Sequence, residues 1–123
     1  MYKEIYILTG YKSHSTSNSI FNDFLLKCNI QLLSKSDFIL IGDFNHNTYD
    51  ENSSFEKYMN QINLSRGLPI EISTTDFNTQ IDVIFLSKSI RMYNSGVYET
   101  FFSDHKPIFI GIKSLINLSH LKT

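Results

Sequence analysis

The sequence has no tryptophan, no alanine, a single cysteine and only two prolines in 123 residues. Cys28 has no internal partner, so a disulfide-stapled secreted scaffold is excluded and a reducing compartment is expected. No run approaches the roughly 18 apolar residues that a membrane span needs. The segment Met1 to Gly10 lacks a basic start, a long apolar stretch and a small-residue cleavage site. No secretory signal is therefore read, and the expected location is intracellular, cytoplasm or nucleus. Charge of one sign is also missing: 11 basic residues face 12 acidic ones, for a net charge of −1. That excludes a protein held on nucleic acid by bulk positive charge. It does not exclude one that meets phosphates through a metal ion. With 41% hydrophobic and 19% charged residues the chain is not a disordered polar tract.

Large side chains take the place of alanine. Ten phenylalanines, with abundant isoleucine, favour a sheet-based core over a helical bundle. Glu4 to Tyr11 reads as a strand, and Lys12 to Ser19 as a polar loop. Ile20 to Leu33 has helical spacing, with Cys28 on its apolar side. Asp37 to Gly42 and Ile81 to Leu86 are continuous apolar runs, the mark of strands covered on both faces. Between them, Phe55 to Leu64 reads as an amphipathic helix that Arg66-Gly67 ends, and Pro69 to Ser73 as a short edge strand. Ile90 to Thr100 reads as weak alternation around an Asn94-Ser95-Gly96 turn. Pro107 to Ile112 reads as a third buried strand, its proline at a first position that strands tolerate. The tail after Lys113 has helical spacing. The whole reads as one α/β (α+β) domain over residues 1–123, a mixed β-sheet with flanking helices.

The acids mark the strand mouths. Asp43 follows Phe38-Ile39-Leu40-Ile41-Gly42, Asp82 lies in Ile81-Asp82-Val83-Ile84-Phe85, and Asp104-His105 directly precede Pro107-Ile108-Phe109-Ile110. A carboxylate beside a buried strand is costly unless paired, hydrogen-bonded or bound to metal. Each taken singly is explained by turn capping or a backbone contact. Together, with a histidine, they suggest one shared site at the strand ends.

These residues carry a resemblance. Gly42-Asp43-Phe44-Asn45, Ile81-Asp82-Val83-Ile84-Phe85 and Ser103-Asp104-His105-Lys106-Pro107-Ile108 resemble, in order, three C-terminal motifs of the endonuclease/exonuclease/phosphatase superfamily, the DNase I-like fold. Gly10-Tyr11 resembles that family's strand ending in a tyrosine, so the match spans roughly Ile5 to Ile112. The resemblance implies a four-layer α/β/β/α sandwich of which this chain is half, and a metal-dependent phosphodiester hydrolase of endonuclease-like type. It implies that Asp43 holds or deprotonates the attacking water and that Asn45 donates to a phosphate oxygen. By the same resemblance His105 touches the scissile phosphate, Asp82 fixes His105, Tyr11 contacts the phosphate, and Asp104 belongs to the site for Mg²⁺ (or Mn²⁺). DNA or RNA is the implied substrate.

The first half of that fold, with an early asparagine and a metal-ligating glutamate, has no counterpart here. Two consequences are expected. One sheet face is left bare, to be covered by the missing N-terminal half or by a second copy in a homodimer. Two other functions also compete with catalysis on nucleic acid: a catalytically inactive remnant or interaction module, and a lipid or small-molecule phosphoesterase. Thr74 and Thr75, ahead of the second buried strand, are expected to be structural, and Lys12, Arg66 and Lys106 are candidate phosphate contacts, although most lysines are only solvated.

Overall fold

The computed structural model describes residues 4–13, 15–17, 19–20, 23, 37–45 and 54–113. Of the predicted helix over Ile20 to Leu33 only Ile20 and Asp23 are described, both helical, while Cys28, the loop residues His46 and Asn47, and the tail beyond Lys113 lie outside the described residues. The described elements are β1 (Ile5–Tyr11), β2 (Asp37–Asp43), α1 (Ser54–Gln61), β3 (Leu64–Arg66), β4 (Asp82–Ser87), β5 (Met92–Val97) and β6 (Ile108–Ile112). Four strands form a mixed sheet in the order β1-β2-β4-β3, and β5 and β6 pair as a second, antiparallel sheet. β1 runs parallel to β2, while β4 is antiparallel to both β2 and β3.

The two apolar runs occupy the central positions, as expected for strands buried on both faces. Alternation divides their side chains. Phe38, Leu40, Val83 and Phe85 point to one face, where Phe55, Met59 and Ile62 of the α1 region close over them. Ile39, Ile84 and Leu86 point to the other, against Ile108, Ile110 and Ile112. α1 is tied at its first turn by an ion pair from Glu56 to Arg66 of β3 at 2.6 Å, and Arg66 also donates to the buried amide of Gln80.

The third apolar strand, expected to be buried, is half-buried along its whole length and lies outside the first sheet. It crosses to the second face and covers it with its alternate isoleucines. This corrects the expectation of a bare sheet face: within the chain, β5 and β6 fill that layer. Exposed apolar surface lies elsewhere, on the outer strand β1 (Ile5, Tyr6, Ile7), on β5 and in the β5–β6 connection.

Three local expectations are corrected. Residues 69–73 form a turn closed by Ile72 N–H to Pro69 C=O at 3.1 Å, not an edge strand. The edge strand lies earlier, because Leu64 is an apolar residue that β4 can bury and Gly67 can approach Ile84 closely. The helix ends at Gln61 rather than near Arg66, and Asn63 takes the left-handed conformation (φ 64°) that asparagine tolerates. Asn94-Ser95-Gly96 runs inside β5 instead of forming a turn. A register shift between Met92 and Asn94 absorbs the irregularity, Gly96 makes room for the Phe109 ring, and Ser95 Oγ donates to Gly67 C=O at 2.6 Å.

Candidate active site

The strand ladder itself assembles the first three site positions. Tyr11 pairs with Asp43, and Asp43 pairs with Asp82, so the three stand in a row across β1, β2 and β4. Side-chain alternation puts Asp43 on the same sheet face as Ile39 and Ile41, and Asp82 on the same face as Ile84 and Leu86. That face is the one β6 covers, so the residues leading into β6 are delivered over the carboxylates.

A close backbone contact makes this row possible. A Cβ on Gly42 would stand 2.3 Å from the Gly10 carbonyl oxygen, so β1 and β2 reach this spacing only with glycine there. After Asp43 the chain turns at Asn45, which has φ 49°. The Asn45 backbone N–H donates to Asp43 Oδ1 at 3.1 Å, and its side-chain amide donates to the Lys12 carbonyl. Lys12 N–H in turn donates to Asp43 C=O at 2.8 Å. The turn thus holds the Asp43 carboxylate through the Asn45 N–H and ties the Asn45 side chain and the Asp43 carbonyl to Lys12.

His105 arrives held by its own loop. Its backbone bridges to Thr75, and its N–H donates to Ser103 Oγ at 3.1 Å. The neighbouring Lys106 N–H donates to Thr74 C=O at 2.8 Å. Thr74 is the shared anchor: its Oγ1 accepts the backbone N–H groups of Ile81 and Asp82, each at 3.2 Å. Both Thr74 and Thr75 are buried, as a structural role requires.

The result is a compact cluster. His105 Nδ1 lies 3.0 Å from Asp82 Oδ2 and 3.8 Å from Asp43 Oδ2. One donor atom from each of Asp43, Asp82 and His105 falls within 4.8 Å of the others. Burial raises the Asp82 pKa above its usual value, and the facing Asp43 charge adds to this, while Thr74 and His105 oppose it. Two carboxylates opposed across an antiparallel pair repel. The site is therefore built to receive positive charge, from an imidazolium or from a cation. Two carboxylates and an imidazole are a donor set that fits a divalent metal ion. With Nδ1 engaged by Asp82, Nε2 is the ring nitrogen left for a ligand.

An open cleft of about 500 Å³ lies over the cluster, lined by Thr9, Asp43, Asp82, Phe102, His105 and Lys106 among others. Not every expected residue joins it. The Asp104 side chain is exposed and outside the three-residue cluster, and its backbone carbonyl accepts from Asp76 N–H at 2.9 Å. The Tyr11 ring is 69% exposed at the strand end and does not line the cleft. Arg66 is committed to Glu56 and Gln80, while Lys106 lines the cleft with its Nζ 3.1 Å from Glu99. Phe102 is a lining residue that sequence reasoning missed. Its signal was a Phe-Phe pair set in an otherwise polar loop, which no periodicity explains.

No protein-family model and no curated protein matches the sequence. Solved structures do match. A mannosyl-6-phosphatase from Bacteroides thetaiotaomicron VPI-5482 aligns with TM-score 0.61 and 20% identity over 88% of this chain and 51% of its own. An endonuclease/exonuclease/phosphatase family protein from Bacteroides thetaiotaomicron aligns with TM-score 0.59 and 21% identity, over 85% of this chain and 48% of that one. The human Nocturnin catalytic domain, solved with a bound sulfate anion, aligns with TM-score 0.58 and 19% identity over 85% and 46%. The chain spans about half the length of the structures it matches. Its fold is thus that of the endonuclease/exonuclease/phosphatase proteins, an α+β, DNase I-like architecture present here in about half its usual extent.

Proposed function

We propose that this chain is the C-terminal half of a metal-dependent phosphodiester hydrolase of endonuclease-like type, acting on DNA or RNA. The observation that carries the reading is the Asp43–Asp82–His105 cluster at the base of an open cleft. Asp43, its carboxylate held by the Asn45 N–H, orients and deprotonates the attacking water. Asp82 accepts the Nδ1 proton of His105 and so presents Nε2 to a non-bridging phosphate oxygen. The Asn45 amide has a second N–H that is suited to the same phosphate. Tyr11, in register with Asp43 but outside the cleft lining, would reach the phosphate only from the strand end. The Asp43 and Asp82 carboxylates would hold Mg²⁺ or Mn²⁺, while the Asp104 ligand expected from the motif lies outside their cluster. Such an ion supplies charge neutralisation at the phosphate and at the leaving oxygen.

The remainder of the fold would come from an N-terminal half or from a second copy of the chain. A second reading is a catalytically inactive remnant or interaction module of the same fold, which keeps the Asp43–Asp82–His105 cluster without binding metal. The mannosyl-6-phosphatase neighbour supports a third, a small-molecule phosphoesterase. Hydrolysis of plasmid DNA, single-stranded RNA, a sugar phosphate and a choline phospholipid, with and without millimolar Mg²⁺, separates them. The first reading expects Mg²⁺-dependent nucleic-acid cleavage that falls at least about 100-fold in Asp43→Ala and in His105→Ala. Cleavage unchanged in both variants would overturn it. No cleavage together with no thermal stabilisation by millimolar Mg²⁺ favours the second reading, and turnover of the sugar phosphate or the phospholipid the third.

A further inference from the structure

The β5–β6 connection does more than deliver His105. It carries Phe101 and Phe102, 104% and 89% exposed, side by side in a loop of otherwise polar residues. The loop is braced rather than slack. Tyr98 N–H donates to Pro107 C=O at 2.9 Å across its base, and Thr100 Oγ1 donates to the carbonyls of Ser103 at 3.2 Å and His105 at 3.4 Å. A braced turn that holds a large apolar ring in water gains nothing in stability from it. The two rings differ in one respect: Phe102 lines the cleft over Asp43, Asp82 and His105, and Phe101 does not.

The geometry points to Phe102 as a stacking platform for a nucleobase, so that the site takes an unpaired, single-stranded nucleotide whose phosphate sits at His105. This inference rests on the phosphate-site reading above. A ring beside a phosphate position matches a ligand that carries a flat group next to its phosphate. A base inside a duplex offers its faces to its neighbours, so only an unstacked base can use the Phe102 face. Lys106, on the same cleft wall and 3.1 Å from Glu99, adds positive charge where a polynucleotide backbone would run.

The test uses the full chain and three probes: inorganic phosphate, a short single-stranded oligonucleotide, and an abasic oligonucleotide with the same number of phosphates. Affinities are read by NMR titration for the unaltered protein and for Phe102→Ala, Phe102→Tyr, Phe101→Ala and His105→Ala. The base-bearing strand is expected to bind more tightly than the abasic one. Phe102→Ala is expected to weaken it about tenfold, while Phe102→Tyr and Phe101→Ala retain it and phosphate binding is untouched. Phosphate that binds through His105, with equal affinity for both strands or no effect of Phe102→Ala, overturns the stacking platform and leaves the phosphate site standing. Equal losses in Phe101→Ala and Phe102→Ala also overturn it, as general stickiness of the loop. Phosphate binding that ignores His105→Ala, or its absence, overturns both readings.

Discussion

Asp82 shows what a single residue contributes to the site and what it costs. Its raised pKa comes first from burial and then from Asp43. The folded chain therefore holds the Asp82 proton to a higher pH than the unfolded chain does, and ionisation works against folding. Stability from this group is full below the unfolded carboxylate value of about 3.9 and is lost as pH rises through the folded value. Relative to the parent, Asp82→Asn should gain stability between acid and neutral pH, as measured by urea unfolding in metal-free buffer. A constant difference across that range would contradict the electrostatic reading. Thr74 is the counterpart that lowers the cost. Thr74→Val removes the acceptor for the Ile81 and Asp82 N–H groups and should cost about 1–3 kcal/mol. Thr74→Ser, which keeps the oxygen, should recover most of it in the same denaturation series.

Between elements, the close approach of β1 and β2 sets the spacing of the site. A Cβ at Gly42 collides with the Gly10 backbone at 2.3 Å, whereas one at Gly10 meets only the Phe44 ring at an ordinary 3.5 Å. Gly42→Ala should therefore destabilise by about 1–3 kcal/mol, and Gly10→Ala by clearly less, in thermal melts of the two variants. Equal effects would mean that the strands part without penalty. The same scale explains where sequence reading succeeded. β2 and β4 were legible because strands buried on both faces must be apolar at every position. β3 and β5 were not. β3 has three residues and is recruited by its neighbour β4, and β5 contains an Asn-Ser-Gly run that ordinarily marks a turn. Pairing with β6 overrode that preference, helped by a register shift and by Gly96 beneath Phe109.

For the whole molecule, the unsatisfied surface lies at the outer edge of the first sheet. Among the described residues nothing pairs with the free side of β1, and Ile7 on that strand is 63% exposed. An open edge with apolar side chains is a template for another strand. Light scattering on the eluting chain should therefore report a species larger than the monomer, and Ile7→Lys should shift it toward the monomer. A parent chain that elutes as a stable monomer at high concentration would remove the argument for a second copy.

The motif residues, their order and the two fully buried strands were determined by the sequence itself. Asp43, Asp82 and His105 belong to local patterns whose chemistry is visible one segment at a time. Only the tertiary structure decided that these three converge while the Asp104 side chain, one residue from His105, stays outside their cluster. It alone moved the third apolar strand to a second layer and set Phe102 on the cleft wall. The physical reason is that strand alternation is a property of each segment, whereas the face a strand covers, and what its connecting loop overhangs, depend on residues far away in the chain.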